Sequence, residues 1–212
     1  MKKSDKLKRI QTAVDYVLGT PEAQKSMNKV GYTKAETLQG KALLEQVRML
    51  DAAQQKEYGD RYQATDELTQ AREQARAQYI QHIEIARFAL REQRGHWKTL
   101  ELSGKRKDDL FGWLAQAHTF YNNVGPVVAT LAEYKLSEEE LQQGRSMIDA
   151  VIDAYNVRQK EGKEAQAATQ QRNEAMEKLD AWMRRFSQTA RLAFADDPQT
   201  LKGMGLVNKV TV

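Results

Sequence analysis

The apolar residues of this 212-residue chain recur at helical spacing. One line runs Leu43, Val47, Leu50, thins through Gln54, Glu57 and Arg61, and resumes at Thr65, Leu68, Ala75, Tyr79, His82, Ala86 and Ala89. A second runs Met147, Val151, Ala154, thins around Arg158 and Glu161, and resumes at Ala165, Ala168, Ala175, Leu179, Trp182, Phe186, Ala190 and Ala193. No alternating β-branched run interrupts them, so the fold class is all-α.

The two lines coincide when the chain is slid by 104 positions without a gap. Gln55-Lys56-Glu57 falls on Gln159-Lys160-Glu161, Gly40 on Gly144, Val47 on Val151, and Ala64-Thr65 on Ala168-Thr169. The punctuation repeats as well. Thr33-Lys34-Ala35-Glu36 reads as a capping box, in which hydroxyl and carboxylate exchange hydrogen bonds with each other's backbone N–H; Ser137-Glu138-Glu139-Glu140 reads the same. Pro21 suits the first position of a helix, and Pro126 has the same role in the second half, shifted by a single residue from the register.

The pattern predicts a tandem duplication, residues 1–104 and 105–212, intertwined in one structural domain. Each half carries two short helices and a long one: 5–18, 21–30 and 34–93, then 108–123, 126–135 and 138–195. Gly59 and Gly162 leave a fork. A turn at each would fold the long segments into hairpins and give a compact four-helix bundle. Neither glycine has Pro, Asn or Ser neighbours of turn type, and one Gly costs a helix only about 1 kcal/mol relative to Ala. Continuous helices are therefore expected, packed antiparallel as an elongated coiled coil with helical ends. Ala64, Ala71, Ala165 and Ala168 would let the backbones approach. Trp113, Phe120 and Tyr121 would pack on Tyr79–Leu90, and Tyr16 and Val17 on Trp182, Phe186 and Phe194.

Composition narrows the chemistry. Hydrophobic residues make up 41% and the mean hydropathy is −0.74, which suits helices exposing much of their circumference. With 33 basic and 29 acidic side chains the net charge is only +4 and the signs are interspersed. The absence of cysteine removes disulfides, thiol catalysis and thiolate metal sites, and fits a reducing cytoplasm. The basic N-terminal stretch has no unbroken apolar core, so a signal peptide is not expected. No run of residues is apolar enough to span a bilayer.

No constellation points to catalysis. His82 sits on the apolar line and reads as a core residue, His96 lies in a polar turn, and no histidine has a Glu three positions before it. A pairing of His82 with His118 is the remaining metal option. No phosphate loop or nucleophile elbow occurs. Acidic pairs stand at helix ends, where capping explains them. Accordingly no catalytic residue, metal or cofactor is expected. Two features remain. Tyr58 and Tyr62 stand in the weak centre of the first long helix with no aromatic counterparts, and are a candidate surface for a protein partner or a second copy. Lys105, Arg106 and Lys107 form a candidate anion-binding cluster, matched by Lys2, Lys3, Lys6, Lys8 and Arg9 before the other first helix. Nucleic-acid binding would need a continuous basic face, which the interleaved acids deny.

The ending "RRFSQTARLAFADDPQTLKGMGL" is similar to that of a loose group of bacterial all-helical proteins of unknown role. The likeness rests on Phe186, Ala190, Arg191, Ala193, Pro198, Leu201, Gly205 and Leu206. The first half departs from it, with Arg94 at the proline position and Glu101 at the glycine position. The resemblance implies a bacterial helical protein and carries no functional residue. A cytoplasmic, non-enzymatic helical scaffold or protein-interaction module is the expected function. The alternative is weak binding to nucleic acid or an anionic membrane surface through the basic clusters.

Overall fold

A computed structural model describes residues 2–206; the outer ends of the two predicted halves, residue 1 and residues 207–212, lie outside the described residues. Eight α-helices and no strand occur among them. In chain order they are α1 (Lys3–Gly19), α2 (Pro21–Lys29), α3 (Lys34–Ala89), α4 (Arg94–Thr99), α5 (Leu110–Asn123), α6 (Val128–Ala132), α7 (Glu138–Ala193) and α8 (Pro198–Gly203). Both α3 and α7 run 56 residues without interruption, so neither Gly59 nor Gly162 makes a turn. Their first residues, 34 and 138, stand 104 positions apart.

Local chemistry sets the starts. At α3, the Thr33 backbone N–H donates to the Glu36 carboxylate at 2.7 Å while the Glu36 N–H donates to the Thr33 hydroxyl at 3.4 Å. At α7 the Ser137 and Glu140 pair makes the same exchange at 2.8 and 3.2 Å. Pro21 opens α2. Pro126 opens no continuous short helix over 126–135. It lies in a 3₁₀ turn (Gly125–Val127) that runs into the five-residue α6, so the single helix expected over 126–135 is broken.

The stops before α3 and α7 share one geometry. Gly31 N–H donates to Asn28 O and Tyr32 N–H to Met27 O; Lys135 N–H donates to Ala132 O and Leu136 N–H to Leu131 O. This is the Schellman pattern, which needs a left-handed residue. Gly31 supplies it at φ +81°, and Lys135 adopts it at φ +60° despite its Cβ. The ends of α4 and α8 form a second such pair, with Glu101 at φ 51° and Gly205 at φ 69°. Glu101 thus takes the same left-handed backbone form as Gly205, 104 positions on. These two small helices were absent from the expected short, short, long pattern, and His96 lies on α4 rather than in a turn. Asp197, whose side chain accepts from the Thr200 N–H at 3.1 Å, and Pro198 open α8.

Packing divides the chain into two compact units. One takes the described part of Met1–Tyr58 and Glu164–Val212, the other Gly59–Lys163. In the first, α1 and α2 lay Ile10, Val14, Val17 and Met27 against Leu44 and Val47 of α3 and Leu179, Trp182 and Phe186 of α7. The long helices pack antiparallel here: the Trp182 indole N–H donates to Glu36 O at 2.9 Å, and the Gln54 amide to the Thr169 hydroxyl at 2.9 Å. In the second unit, Trp113, Phe120 and Tyr121 of α5 gather around Tyr79 of α3 at ring separations of 6.4, 6.0 and 6.1 Å, with Ile148 and Val151 of α7 completing the core. Burying each such ring contributes roughly 1.5–3 kcal/mol.

Two glycines act as slots for aromatic rings. A methyl group at Gly40 would collide with the Trp182 indole, and one at Gly144 with the Tyr121 phenol. Gly59 has nothing within 4 Å of that position. Opposite outcomes are therefore expected. Gly40→Ala and Gly144→Ala should each cost about 1–3 kcal/mol in urea unfolding through overpacking. Gly59→Ala should gain about 0.5–1 kcal/mol through helix propensity alone. Loss of stability in Gly59→Ala would argue that the helix is not regular there. At the left-handed positions, Lys135→Gly should stabilise by up to about 1 kcal/mol, because removing the Cβ strain outweighs the added chain entropy.

Candidate functional site

The basic segment at 105–107 lies in the loop between α4 and α5, and the three cations have different fates. Arg106 is half-buried and faces inward. Its Nη1 donates to the Tyr79 hydroxyl at 3.0 Å, and its Nη2 to the carbonyls of Glu101 and Ser103 at 2.7 Å each. Arg87 adds two more such bonds, Nε to Leu102 O at 2.7 Å and Nη2 to Gly104 O at 2.8 Å. Two guanidinium groups thus tie down a loop that has few backbone partners of its own, as their forked donors suit. Arg106 also draws the Tyr79 phenol back toward ionisation, against the burial that raises its pKa.

Lys105 is exposed and pairs with Asp108 at 3.4 Å. Asp108 also accepts from Arg76 Nη2 at 2.8 Å, and these bonds, Arg76's first, hold its carboxyl below the usual carboxylate range. Lys107 is exposed too; its backbone N–H donates to the Gln116 side chain at 2.9 Å. Of the candidate anion cluster, two amines remain at the surface and one of them is already paired. In the N-terminal cluster Lys3 is ion-paired with Asp51, and Lys6 with Asp180 at 2.5 Å.

Tyr62 on α3 is 66% exposed, and Tyr58 is half-buried. Sequence reading did not single out three other surface side chains. Phe88 is 61% exposed, meets Tyr134 edge-on at 5.5 Å and carries the Arg91 guanidinium 5.1 Å from its ring centre. Leu192, 104 positions on, is 69% exposed. Phe111, 62% exposed, meets Tyr155 edge-on at 5.2 Å. The available signal was angular: at 100° per residue Phe88 lies about 160° around the helix from Ala86 and about 100° from Ala89, two residues of the apolar line.

His82 is buried, its ring edge-on to Tyr121 at 5.9 Å. Its Nδ1 lies 3.1 Å from the Tyr121 hydroxyl and its Nε2 3.0 Å from the Gln78 amide nitrogen. One neutral tautomer satisfies both contacts, with Nδ1–H donating to the Tyr121 oxygen and Nε2 accepting from the Gln78 N–H. Burial lowers the His82 pKa below its ordinary 6.5, while the Glu140 charge pulls the other way. His96 and His118 are half-buried. Among the described residues no histidine belongs to a group spaced for metal binding. No helix there is long and apolar enough to cross a membrane.

No protein-family model, curated protein or solved structure matches the chain.

His82 gives a pH dependence with a definite sign. The unfolded chain takes up this proton near pH 6.5, whereas the folded chain resists it to lower pH. Stability from this site is therefore constant above about pH 7 and falls as pH drops through 6.5 toward the folded pKa. Urea midpoints for wild type should decline between pH 7.5 and 5.5 more steeply than those of His82→Gln. Equal slopes would mean the buried imidazole is not held neutral.

Proposed function

We propose that this protein is a non-enzymatic helical scaffold that binds a protein partner, or a second copy of itself, through aromatic side chains displayed on its long helices. The observation that carries this reading is Tyr62, a large aromatic residue 66% exposed on a helix whose buried line is otherwise filled by other residues. Aromatic groups on a surface are the usual anchors of protein interfaces. Tyr58, half-buried one helical turn earlier, belongs to the same candidate surface.

The scaffold is in this reading a tandem duplication of residues 1–104 and 105–212, its long helices paired as an antiparallel coiled coil. Support comes from elements recurring 104 positions apart: the capping boxes at Thr33 and Ser137, and the left-handed residues at 31 and 135 and at 101 and 205. A backbone that is preserved where Gly has become Lys or Glu is a stronger sign of common origin than identities in Ala- and Gln-rich helices. The cysteine-free chain suits a bacterial cytoplasm. Binding to nucleic acid or anionic membrane through Lys105, Arg106 and Lys107 has weaker support, because Arg106 is engaged with the loop's own carbonyls.

Replacing Tyr58 and Tyr62 together by Ala should leave stability within about 1 kcal/mol of wild type, as surface changes usually do. It should also shift the molar mass seen by light scattering or remove the partner recovered from the native cell. If both assays match wild type, the aromatic surface is not the interface.

A further inference from the structure

A cleft of about 360 Å³ lies in the first compact unit between α1 and the C-terminal part of α7. Lys6 and Arg9, three residues apart along α1, share one of its walls; Arg184, Gln188 and Arg191, at i, i+4 and i+7 on α7, form the other. Among the described residues Asp180 is the only acid that lines it, and it is paired with Lys6 at 2.5 Å. Arg9, Arg184 and Arg191 make no hydrogen bond or ion pair among the described residues, and the Arg9 Nε is buried without a partner. Three guanidinium groups around one concavity repel one another, and a bound anion relieves that repulsion while accepting their forked N–H donors.

At the corresponding positions of the second unit, 104 residues away, Lys6, Arg9 and Arg184 are replaced by Leu110, Trp113 and Ile80. Trp113 is fully buried there, and Arg87, matching Arg191, is spent on the carbonyls of Leu102 and Gly104. At these three positions the second unit carries apolar side chains where the first presents cations.

We infer that this cleft is a binding site for a small molecule carrying two or more phosphate groups. Arg9, Arg184 and Arg191 bind the phosphates in a space large enough for more than one of them, and the apolar side chains of Ile10 and Met183 border room for a carbon skeleton. This goes beyond the scaffold reading and does not depend on the tyrosine surface.

Calorimetric titration of the full chain with pyrophosphate, with adenosine triphosphate, and with phosphatidylglycerol vesicles tests the inference. One-site saturable binding of at least one soluble polyphosphate is expected. It should weaken tenfold or more in Arg184→Gln/Arg191→Gln, two exposed positions where helicity by circular dichroism should be unchanged, and less in each single variant, which serves if the pair fails to fold. Lys105→Gln/Lys107→Gln should bind as wild type. Absence of saturable binding to either polyphosphate would overturn the site. So would binding that survives the arginine substitutions, binding lost in the lysine control, or binding to vesicles alone.

Discussion

A 56-residue helix cannot hold itself straight and folded in water on the strength of its own backbone, and α3 and α7 have almost no buried side chains along their centres. Between residues 51 and 74 of α3 only Ala64 is fully buried, and between 152 and 174 of α7 only Ala165. The apolar surface that stabilises these helices is confined to two clusters. In each, short helices cover a face that two long helices alone would leave wet. The other features of the fold serve that arrangement. Schellman stops and capping boxes turn the chain sharply from a short helix into a long one. The glycine slots let a large ring lie against a helix backbone, and arginines tie down the loop that leads into α5.

What was legible in the sequence is what depends on neighbours in the chain. Thr33 with Glu36 and Ser137 with Glu140 announce helix starts because the interacting groups are three residues apart. The absence of turn residues beside Gly59 and Gly162 was enough to expect unbroken helices. The aromatic contacts of Trp113, Phe120 and Tyr121 with Tyr79 were also foreseeable once α5 was expected to pack on that stretch. What escaped depends on tertiary context. Arg106 looks like a member of a surface charge cluster until the loop brings five backbone and side-chain oxygens around it and Arg87. The cationic cleft draws on residues of α1 and α7 that lie at least 170 positions apart in the chain, and no local pattern links Arg9 to Arg184. Glu101 gives no sign of its left-handed backbone, because it takes that form from the Schellman bonds and not from its own preference.

The two units also differ in the side chains they carry at positions 104 residues apart. Gly40 receives Trp182 from α7, whereas Gly144 receives Tyr121 from α5. Tyr121 in turn holds His82, whereas the residue 104 positions on, in the first unit's core, is Phe186. The contrast is sharpest between Arg9, which lines the cleft of the first unit, and Trp113, 104 positions on, which is fully buried in the second.

The division of the chain into units has a bearing on biosynthesis. Gly59–Lys163 is one continuous stretch, whereas the other unit needs segments from both ends of the chain. As the polypeptide emerges, the central unit can close as soon as its own residues are out. Ile10, Val14 and Val17 must meanwhile wait for Leu179, Trp182 and Phe186, which follow well over 100 residues later, an interval on the order of ten seconds at ordinary translation rates. The apolar face of α1 formed by Ile10, Val14 and Val17 thus stays uncovered until the C-terminal part of α7 has been made.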